Sequence, residues 1–235
     1  MGFLTDKYAI VTGATRGIGR AIAERLLDEG ATVAVCGRST KSTDEALREL
    51  QPRGNVIGTA CDVANPDSVA QFFQFVGNQF PGIDYLINNA GVGVFRAVAD
   101  LTIEDWRQVL ETNLSGVFYC SHHGLPLLKK RGGGYVINIS SLAGRNAFAG
   151  GAAYNASKFG LNGFSEAMML DSRYDNVRVS YIMPGSVATE FGSGGGEDWK
   201  IAPADIAEIV IGLLRMPERT LVSRVEVRPS KPRKS

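Results

Sequence analysis

The sequence contains little cysteine and little histidine. Among 235 residues there are three cysteines, Cys36, Cys61 and Cys120, and two histidines, His122 and His123. An odd number of widely spaced cysteines argues against a disulfide framework and is typical of a reducing cytosol. So few thiol and imidazole groups leave almost no ligands for zinc. We therefore expect a cytoplasmic protein without a metal site.

Long apolar runs and an excess of one charge are lacking as well. No run reaches the ~18 apolar residues that a membrane-spanning helix needs, and Asp6 and Lys7 interrupt the start, so no signal-peptide apolar segment forms. The 25 basic and 24 acidic residues give a formal net charge of +1, which does not indicate a nucleic-acid-binding or anionic-membrane surface. The one basic stretch, Arg228 to Lys234, is interpreted as a solvated end. The expected partner is a small molecule, not nucleic acid or a membrane.

Glycine, by contrast, is abundant. The chain has 28 glycines among its 235 residues, above the roughly 7 % that is usual, and they are scattered, mostly at the ends of apolar runs. The 44 % apolar and 21 % charged fractions are ordinary for a globular protein, so disorder of the whole chain is not expected.

Apolar, β-branched runs alternate with helical patterns along the chain. The predicted strands are Tyr8–Thr12, Thr32–Cys36, Val56–Cys61, Tyr85–Asn88, Tyr135–Ser140, Val177–Met183 and Leu221–Val227. The predicted helices are Gly17–Glu29, Asp44–Leu50, Pro66–Asn78, Ile103–Cys120 with a helical stretch on to Lys130, Tyr154–Tyr174 and Pro203–Arg215. Several strands are continuous apolar runs, as expected when both faces of a sheet are covered. Strict alternation without a linker predicts one α/β domain over residues 1–235, a doubly wound Rossmann sheet of seven parallel strands flanked by helices.

A glycine-rich turn, T-G-A-T-R-G-I-G at Thr12–Gly19, joins the first strand to the first helix. Glycine tolerates the backbone angles of a tight turn and lets a ligand approach, and the helix N-terminus offers free N–H groups to a phosphate. A purely structural turn is the alternative, but in the first β-α unit of a parallel sheet this pattern favours a dinucleotide site. The residues assigned to that site are Gly13, Thr15, Arg16, Gly17, Ile18 and Gly19.

The second strand ends without the acid that often binds the ribose of NAD. Arg38 follows instead, with Ser39 beside it, and Arg16 could converge on the same point. One such arginine is more often a surface charge, but two cations without an acid favour the 2′-phosphate of NADP. At the end of the third strand, Asp62 could accept from an adenine amino group while Val63 packs on the ring.

Tyr154 and Lys158 are four residues apart and share one face of a predicted helix. A phenol has a pKa near ~10, and a neighbouring ammonium would lower it, so Tyr154 could exchange a proton with an alcohol or carbonyl oxygen. Ser141, just after the fifth strand, could hold that oxygen. Asn113 is a polar residue in a predicted long helix, where a side-chain amide lowers helix propensity.

These motifs resemble the short-chain dehydrogenase/reductase family, and within it the NADP-preferring, 3-oxoacyl-[acyl-carrier-protein] reductase-like members. The resemblance runs from Tyr8 to about Arg215. It includes the turn at Thr12–Gly19, Asp62-Val63, N-N-A-G at Asn88–Gly91, Asn113, Ser141, Tyr154, Lys158, and Pro184-Gly185 with Thr189 following.

The resemblance implies a role for each matched residue. Tyr154 would be the general acid in reduction, Ser141 would polarise the carbonyl, and Lys158 would bind the nicotinamide ribose and lower the pKa of Tyr154. Asn113 would hold a water in a proton relay. The remaining residues implied to contact the cofactor are Asn89, Ala90, Gly91, Pro184, Gly185, Val187 and Thr189. The family also implies a homodimer or homotetramer.

The segment of about 186–202 is shorter than the family's usual substrate segment and contains G-S-G-G-G at Gly192 to Gly196. Such a stretch is flexible and makes few apolar contacts. It predicts either a lid that orders on binding or a shortened, open pocket.

The leading hypothesis is an NADPH-dependent enzyme, of the class that acts on CH–OH donors, that reduces a ketone, aldehyde or 3-oxoacyl thioester. The specific alternative is the 3-oxoacyl-[acyl-carrier-protein] reductase of fatty-acid synthesis. A non-catalytic NADP-sensing protein would be expected to have lost Ser141, Tyr154 or Lys158, and all three are present. A sugar-nucleotide epimerase or dehydratase shares the Y-x-x-x-K pattern but usually has a different glycine turn and a larger C-terminal domain.

Overall fold

The computed structural model describes residues 2–191 and 198–232. Its strands are β1 (Tyr8–Thr12), β2 (Thr32–Gly37), β3 (Val56–Ala60), β4 (Tyr85–Asn88), β5 (Gly134–Ile139), β6 (Val177–Pro184) and β7 (Arg224–Val227). Its α-helices are α1 (Gly17–Asp28), α2 (Thr40–Leu50), α3 (Pro66–Gln79), α4 (Ile103–Leu110), α5 (Gly116–Lys130), α6 (Ala152–Ser172) and α7 (Pro203–Leu214). In these ranges no helix is both long and apolar enough to cross a membrane.

The strands form one sheet in the order β3-β2-β1-β4-β5-β6-β7, and every neighbouring pair is parallel. This confirms the predicted doubly wound, seven-stranded α/β fold. Strand order reverses at β1, which pairs with β2 on one side and β4 on the other. The loops after β1 and β4 therefore diverge to opposite faces, and a crevice opens between them at the carboxyl edge of the sheet.

Both faces of the sheet are covered, which explains the unbroken apolar strands. In β1, Ile10 and Val11 are fully buried but belong to separate cores on opposite faces. One core includes α1 and α7, which pack against each other, and the other includes α3 and α5. A central strand in this arrangement has no solvent face, so successive apolar residues are both stabilising.

Some predicted boundaries are wrong. Helix α2 begins at Thr40 rather than at 44, because the hydroxyl of Ser39 accepts from the N–H of Ser42 at 3.2 Å and caps the helix. Strand β7 begins at Arg224 rather than at 221, since the carbonyl of Val222 is engaged by the side chain of Ser180. The predicted long helix is divided by a π-helical turn at 111–115 that separates α4 from α5.

Candidate active site

A cleft of about 1220 Å³ lies at the carboxyl ends of the strands, at the point where their order reverses. All but two of the residues predicted for the site line it. They are Gly13, Thr15, Arg16, Gly17, Ile18, Arg38, Ser39, Asp62, Val63, Asn89, Ala90, Gly91, Ser141, Tyr154, Lys158, Pro184, Gly185, Val187 and Thr189. The two that do not line the cleft are Gly19 and Asn113.

The turn after β1 requires glycine at two positions. Gly13 has φ +63° and Gly17 has φ +57°, a region that residues with a Cβ adopt at a cost. A Cβ on Gly13 would also lie 2.8 Å from the Cα of Ala90. Helix α1 starts directly behind this turn, and its N-cap, Arg16, makes no side-chain capping hydrogen bond. The first N–H groups of α1 are therefore not used by a cap, as a phosphate site requires.

Gly19 serves the packing behind this turn. A Cβ there would lie 2.3 Å from the amide nitrogen of Asn89 and 2.4 Å from the carbonyl oxygen of Gly13. That amide donates to the carbonyls of Thr12 and Gly13, both at 3.0 Å. Gly19, behind the cleft, thus lets Asn89 in the cleft lining tie the loop after β4 to the glycine turn.

At the end of β2, the position next to Arg38 has no room for a side chain. A Cβ on Gly37 would lie 2.3 Å from the Cγ2 of Thr15. Arg38 itself is exposed at the rim of the cleft. Arg16, which the sequence suggested could converge with Arg38, pairs instead with Glu190 at 2.8 Å, and both members of that pair are largely exposed.

After β3, the carboxylate of Asp62 is fixed by its own loop. Its Oδ1 accepts from the N–H of Ala64 at 3.1 Å, and the N–H of Asp62 donates to the hydroxyl of Ser68 at 3.1 Å. Val63 is buried beside it. An acceptor and an apolar surface are thus adjacent at this wall of the cleft.

Tyr154, near the start of α6, and Ser141, just after β5, are brought together by the fold. Both side chains line the same cleft, and the neighbouring Ser141 hydroxyl acts to lower the pKa of Tyr154, but burial outweighs this and raises that pKa overall. The phenol is therefore protonated at neutral pH. The neighbouring Ser140 donates to the amide oxygen of Asn162 at 2.5 Å, so its hydroxyl is engaged elsewhere.

Lys158 lies one helical turn after Tyr154 and is almost fully buried. Its Nζ donates to the carbonyl of Ile139 at 3.0 Å and lies 5.8 Å from the centre of the Tyr154 ring. Burial lowers the pKa of Lys158 to about 8. The expectation that this ammonium would lower the pKa of Tyr154 is not met here, because burial of the phenol raises that pKa.

Asn113 lies in the π-helical turn and is fully buried. Its Oδ1 accepts from the N–H of Val92 at 2.8 Å, and its Nδ2 donates to the carbonyl of Val92 at 2.8 Å and to the hydroxyl of Ser157 at 3.1 Å. Both ends of the amide are thus used by the protein. The side chain joins the loop after β4 to α6, and the water-holding role expected for Asn113 stays a prediction.

Aromatic side chains next to Tyr154 were missed by the sequence interpretation. Phe95 and Phe191 lie next to the phenol, with ring centres 5.6 and 5.7 Å from that of Tyr154, and Phe148 packs on Phe95 at 5.8 Å. They come from three loops that have no periodic pattern. The only available signal was an aromatic residue close to each of three recognised motifs. The stretch 192–196, for which a lid or an open pocket was expected, lies outside the described residues.

Comparison with known proteins identifies the family. Residues 7–198 match the short chain dehydrogenase family model. A 3beta-hydroxysteroid dehydrogenase of Mediterraneibacter gnavus is 36 % identical over 211 residues, covering 88 % of this chain and 75 % of the relative. A protein of Caenorhabditis elegans named dehydrogenase/reductase SDR family member 4 is 37 % identical over 218 residues, covering 90 % of this chain and 84 % of the relative.

Two solved structures extend the likeness to the whole fold. An alcohol dehydrogenase of Thermococcus sibiricus complexed with 5-hydroxy-NADP has a TM-score of 0.91 and 31 % identity, with 97 % of this chain and 99 % of that chain covered. A metagenomic short-chain oxidoreductase in complex with NADP has a TM-score of 0.86 and 35 % identity, with the same coverage. The chain therefore belongs to the short-chain dehydrogenase family, and it is an oxidoreductase of that family.

A nicotinamide cofactor fits the cleft by the structure's own geometry. The glycine turn leaves a concave surface that a Cβ would fill: at Gly17 that atom would approach the Cγ2 of Thr189 to 3.3 Å. The uncapped N-terminus of α1 is suited to a pyrophosphate, and Asp62 and Val63 lie along the wall towards β2 and β3.

Proposed function

We propose that this protein reduces a carbonyl group (ketone, aldehyde or 3-oxoacyl thioester) to an alcohol with NADPH, and that the reaction is reversible. The observation that carries the proposal is that Tyr154 and Ser141 line the same end of a cleft whose other half fits a dinucleotide. The phenol is a proton donor, and the serine hydroxyl is a second donor beside it. A carbonyl oxygen placed between them would be polarised and then protonated.

In this mechanism each side chain has a separate task. A reduced nicotinamide, when bound, supplies the hydride. Tyr154 gives its proton to the substrate oxygen, and its raised pKa keeps that proton in place at neutral pH. Ser141 donates a hydrogen bond to the same oxygen. Lys158, fixed on the carbonyl of Ile139, holds a positive charge near the phenolate that remains and stabilises it.

We propose NADP rather than NAD as the cofactor. Arg38 would bind the 2′-phosphate, with Ser39 and Arg16 as further donors at the same rim. The support is steric as well as electrostatic, because an acid in place of Gly37 would place its Cβ against Thr15. The two structural neighbours carry NADP or a derivative of it, which points the same way.

The experiment is to follow NADPH consumption by the purified protein over a panel of ketones, aldehydes and 3-oxoacyl thioesters, with NADH in parallel. A Ser141→Ala/Tyr154→Phe double variant, purified in the same way, controls for contaminating reductases. We expect turnover of at least one class, and faster turnover with NADPH than with NADH. Tight NADPH binding without consumption on any carbonyl would contradict the proposed activity, and equal use of NADH would contradict the cofactor preference.

We also propose that the protein acts in the cytoplasm as a homodimer or homotetramer. Its buried cysteines are all unpaired, and several large apolar side chains on α4, α5 and α6 are exposed. These are Ile103, Trp106, Phe118, Phe159 and Leu170. Exposed apolar residues on adjacent helices favour burial against a second copy. Light scattering is expected to give a multimer that Phe118→Glu weakens; a monomeric wild type would contradict this.

A further inference from the structure

Three phenylalanines from distant parts of the chain meet beside the phenol of Tyr154. The ring centre of Phe95 lies 5.6 Å from that of Tyr154, 5.8 Å from that of Phe148 and 6.5 Å from that of Phe191. Phe191 lies 5.7 Å from Tyr154. We call Phe95, Phe148 and Phe191 the aromatic wall. Its members follow β4, precede α6 and follow β6, so three separate loops converge on one point.

The aromatic wall faces open space and not the protein core. Its three side chains are 44 %, 46 % and 42 % exposed in chain order. Exposed aromatic rings are common as single residues, but a cluster around a reactive group is typical of a binding surface. A ligand that covers these rings would remove their apolar area from water, which favours binding.

The backbone around the aromatic wall is shaped to hold the rings. A Cβ on Gly93 would lie 2.8 Å from Phe95 and 2.9 Å from Phe191, and a Cβ on Gly151 would lie 2.6 Å from Phe148. These two glycines therefore make room for the rings.

Two further contacts fix the loops that carry the rings. The N–H of Arg96 donates to the carbonyl of Gly150 at 2.8 Å, which joins the loops of Phe95 and Phe148. The amide of the buried Asn155 donates to the carbonyls of Ala143 and Asn146, which holds the loop before Phe148. The positions of Phe95 and Phe148 are thus set by contacts within the protein.

A recess of about 620 Å³ opens beside the aromatic wall and reaches Ser141 and Tyr154. Binding pockets for small organic molecules have volumes of about 300–1,000 Å³, so a substrate larger than a simple ketone fits. Among the described residues that line the recess, Arg228 is the single charged one, and it pairs with Glu226 at 3.1 Å. The recess therefore favours an uncharged ligand.

We propose that the aromatic wall selects uncharged ketones whose carbonyl is attached to a planar ring system, and that Phe95, Phe148 and Phe191 are specificity-determining residues. This inference rests on the proposed carbonyl reduction at Tyr154. Planar rings stack on phenyl groups or meet them edge to face, and each such contact contributes roughly 2- to 10-fold in affinity beyond simple burial. A flexible chain gains burial but not this contact, and it loses more conformational entropy when it is ordered.

The test compares 1-tetralone, whose carbonyl carbon is bonded directly to a benzene ring, with 2-decanone, a linear ketone with the same number of carbon atoms. The NADPH-loaded wild type is expected to prefer tetralone by at least about 10-fold in kcat/KM. Phe95→Leu and Phe148→Leu keep an apolar side chain. They are expected to remove most of that preference by raising the KM for tetralone. Phe3→Leu is the matched control, because Phe3 is similarly exposed but packs on Arg215, and its preference should equal that of the wild type.

Saturation-transfer NMR of the same two ketones on the NADPH-bound protein separates this inference from the proposed activity. Stronger binding of tetralone that the two leucine variants weaken, without reduction of any carbonyl of the panel, would support the aromatic wall and contradict the activity. Reduction of both ketones without a preference for tetralone in binding or kcat/KM would contradict the aromatic wall and leave the activity intact. Failure of both ketones to bind or react would contradict the aromatic wall, and the carbonyl panel then decides on the activity by itself.

Discussion

The two ends of the cleft are built in different ways. At the Tyr154 end, Asn113 and Lys158 are buried and hydrogen-bonded to backbone carbonyls. At the Arg38 end, Arg16 and Arg38 are exposed, and the pair that Arg16 makes with Glu190 is a surface ion pair, a type that contributes about 0–1 kcal/mol. The comparison indicates that buried hydrogen bonds fix the groups at the Tyr154 end, whereas the charged rim is held only by exposed, weak contacts. Substitutions at the first end should change rate and folding, and those at the second end should change cofactor affinity alone.

Ser141→Ala should give the largest effect among the substitutions that test this comparison. Loss of one preorganised donor to a developing oxyanion costs about 100- to 1,000-fold in kcat, and the dissociation constant of NADPH should stay close to that of the wild type. Steady-state kinetics and fluorescence titration measure the two quantities. A variant that loses NADPH affinity and keeps its kcat would contradict the separation of the two ends.

Asn113→Ala should test how far the Tyr154 end depends on buried hydrogen bonds. The change leaves the N–H and carbonyl of Val92 without their partner in a buried place, at about 1–3 kcal/mol for each unsatisfied group. We expect urea denaturation to show that the free energy of unfolding falls by at least about 1–3 kcal/mol. Asn78→Ala, on the exposed surface of α3, is the control and should stay within about 0.5 kcal/mol of the wild type. Equal stability of the two variants would contradict the role of Asn113 in joining the loop after β4 to α6.

Arg38→Asp should act at the exposed end alone. A hydrogen bond to a charged group contributes about 1.5–3 kcal/mol, so the dissociation constant of NADPH should rise about 10- to 100-fold while NADH binds as well as before or better. Arg48→Asp introduces the same charge change on α2 away from the cleft and should leave both constants nearly unaltered. If the ratio of the NADPH and NADH dissociation constants is the same in Arg38→Asp as in the wild type, the assignment of Arg38 to the 2′-phosphate is contradicted.

The pH dependence of stability should report the buried Lys158. Burial lowers its pKa from 10.5 to about 8, so between these pH values the unfolded chain holds a proton that the native protein lacks. The contribution of Lys158 to the free energy of unfolding is lowest below pH about 8. Above that pH it rises by up to about 1.4 kcal/mol per pH unit. The difference in unfolding free energy between wild type and Lys158→Met should show this slope, and a difference that is constant with pH would show that Lys158 is not buried as described.

The sheet could be predicted from the sequence because its strands depend on local apolar patterns. Residues that follow those strands, such as Ser141 and Asp62, reach the cleft for the same reason. The π-helical turn around Asn113 could not be predicted, since one extra residue in a turn leaves no periodic signal. The raised pKa of Tyr154 and the aromatic ring of Phe95 beside it both depend on which segments pack together, and this is a property of the tertiary structure.

The proposed reduction depends on Tyr154, which donates the proton that completes it. The most direct test is the single-turnover rate of Tyr154→Phe loaded with NADPH, compared with the wild type on the best substrate of the panel, after equal NADPH affinity has been verified for both. General acid catalysis contributes about 100- to 10,000-fold, and we predict a loss of that size with binding retained. A phenylalanine variant that binds NADPH and keeps most of the wild-type rate would contradict the account.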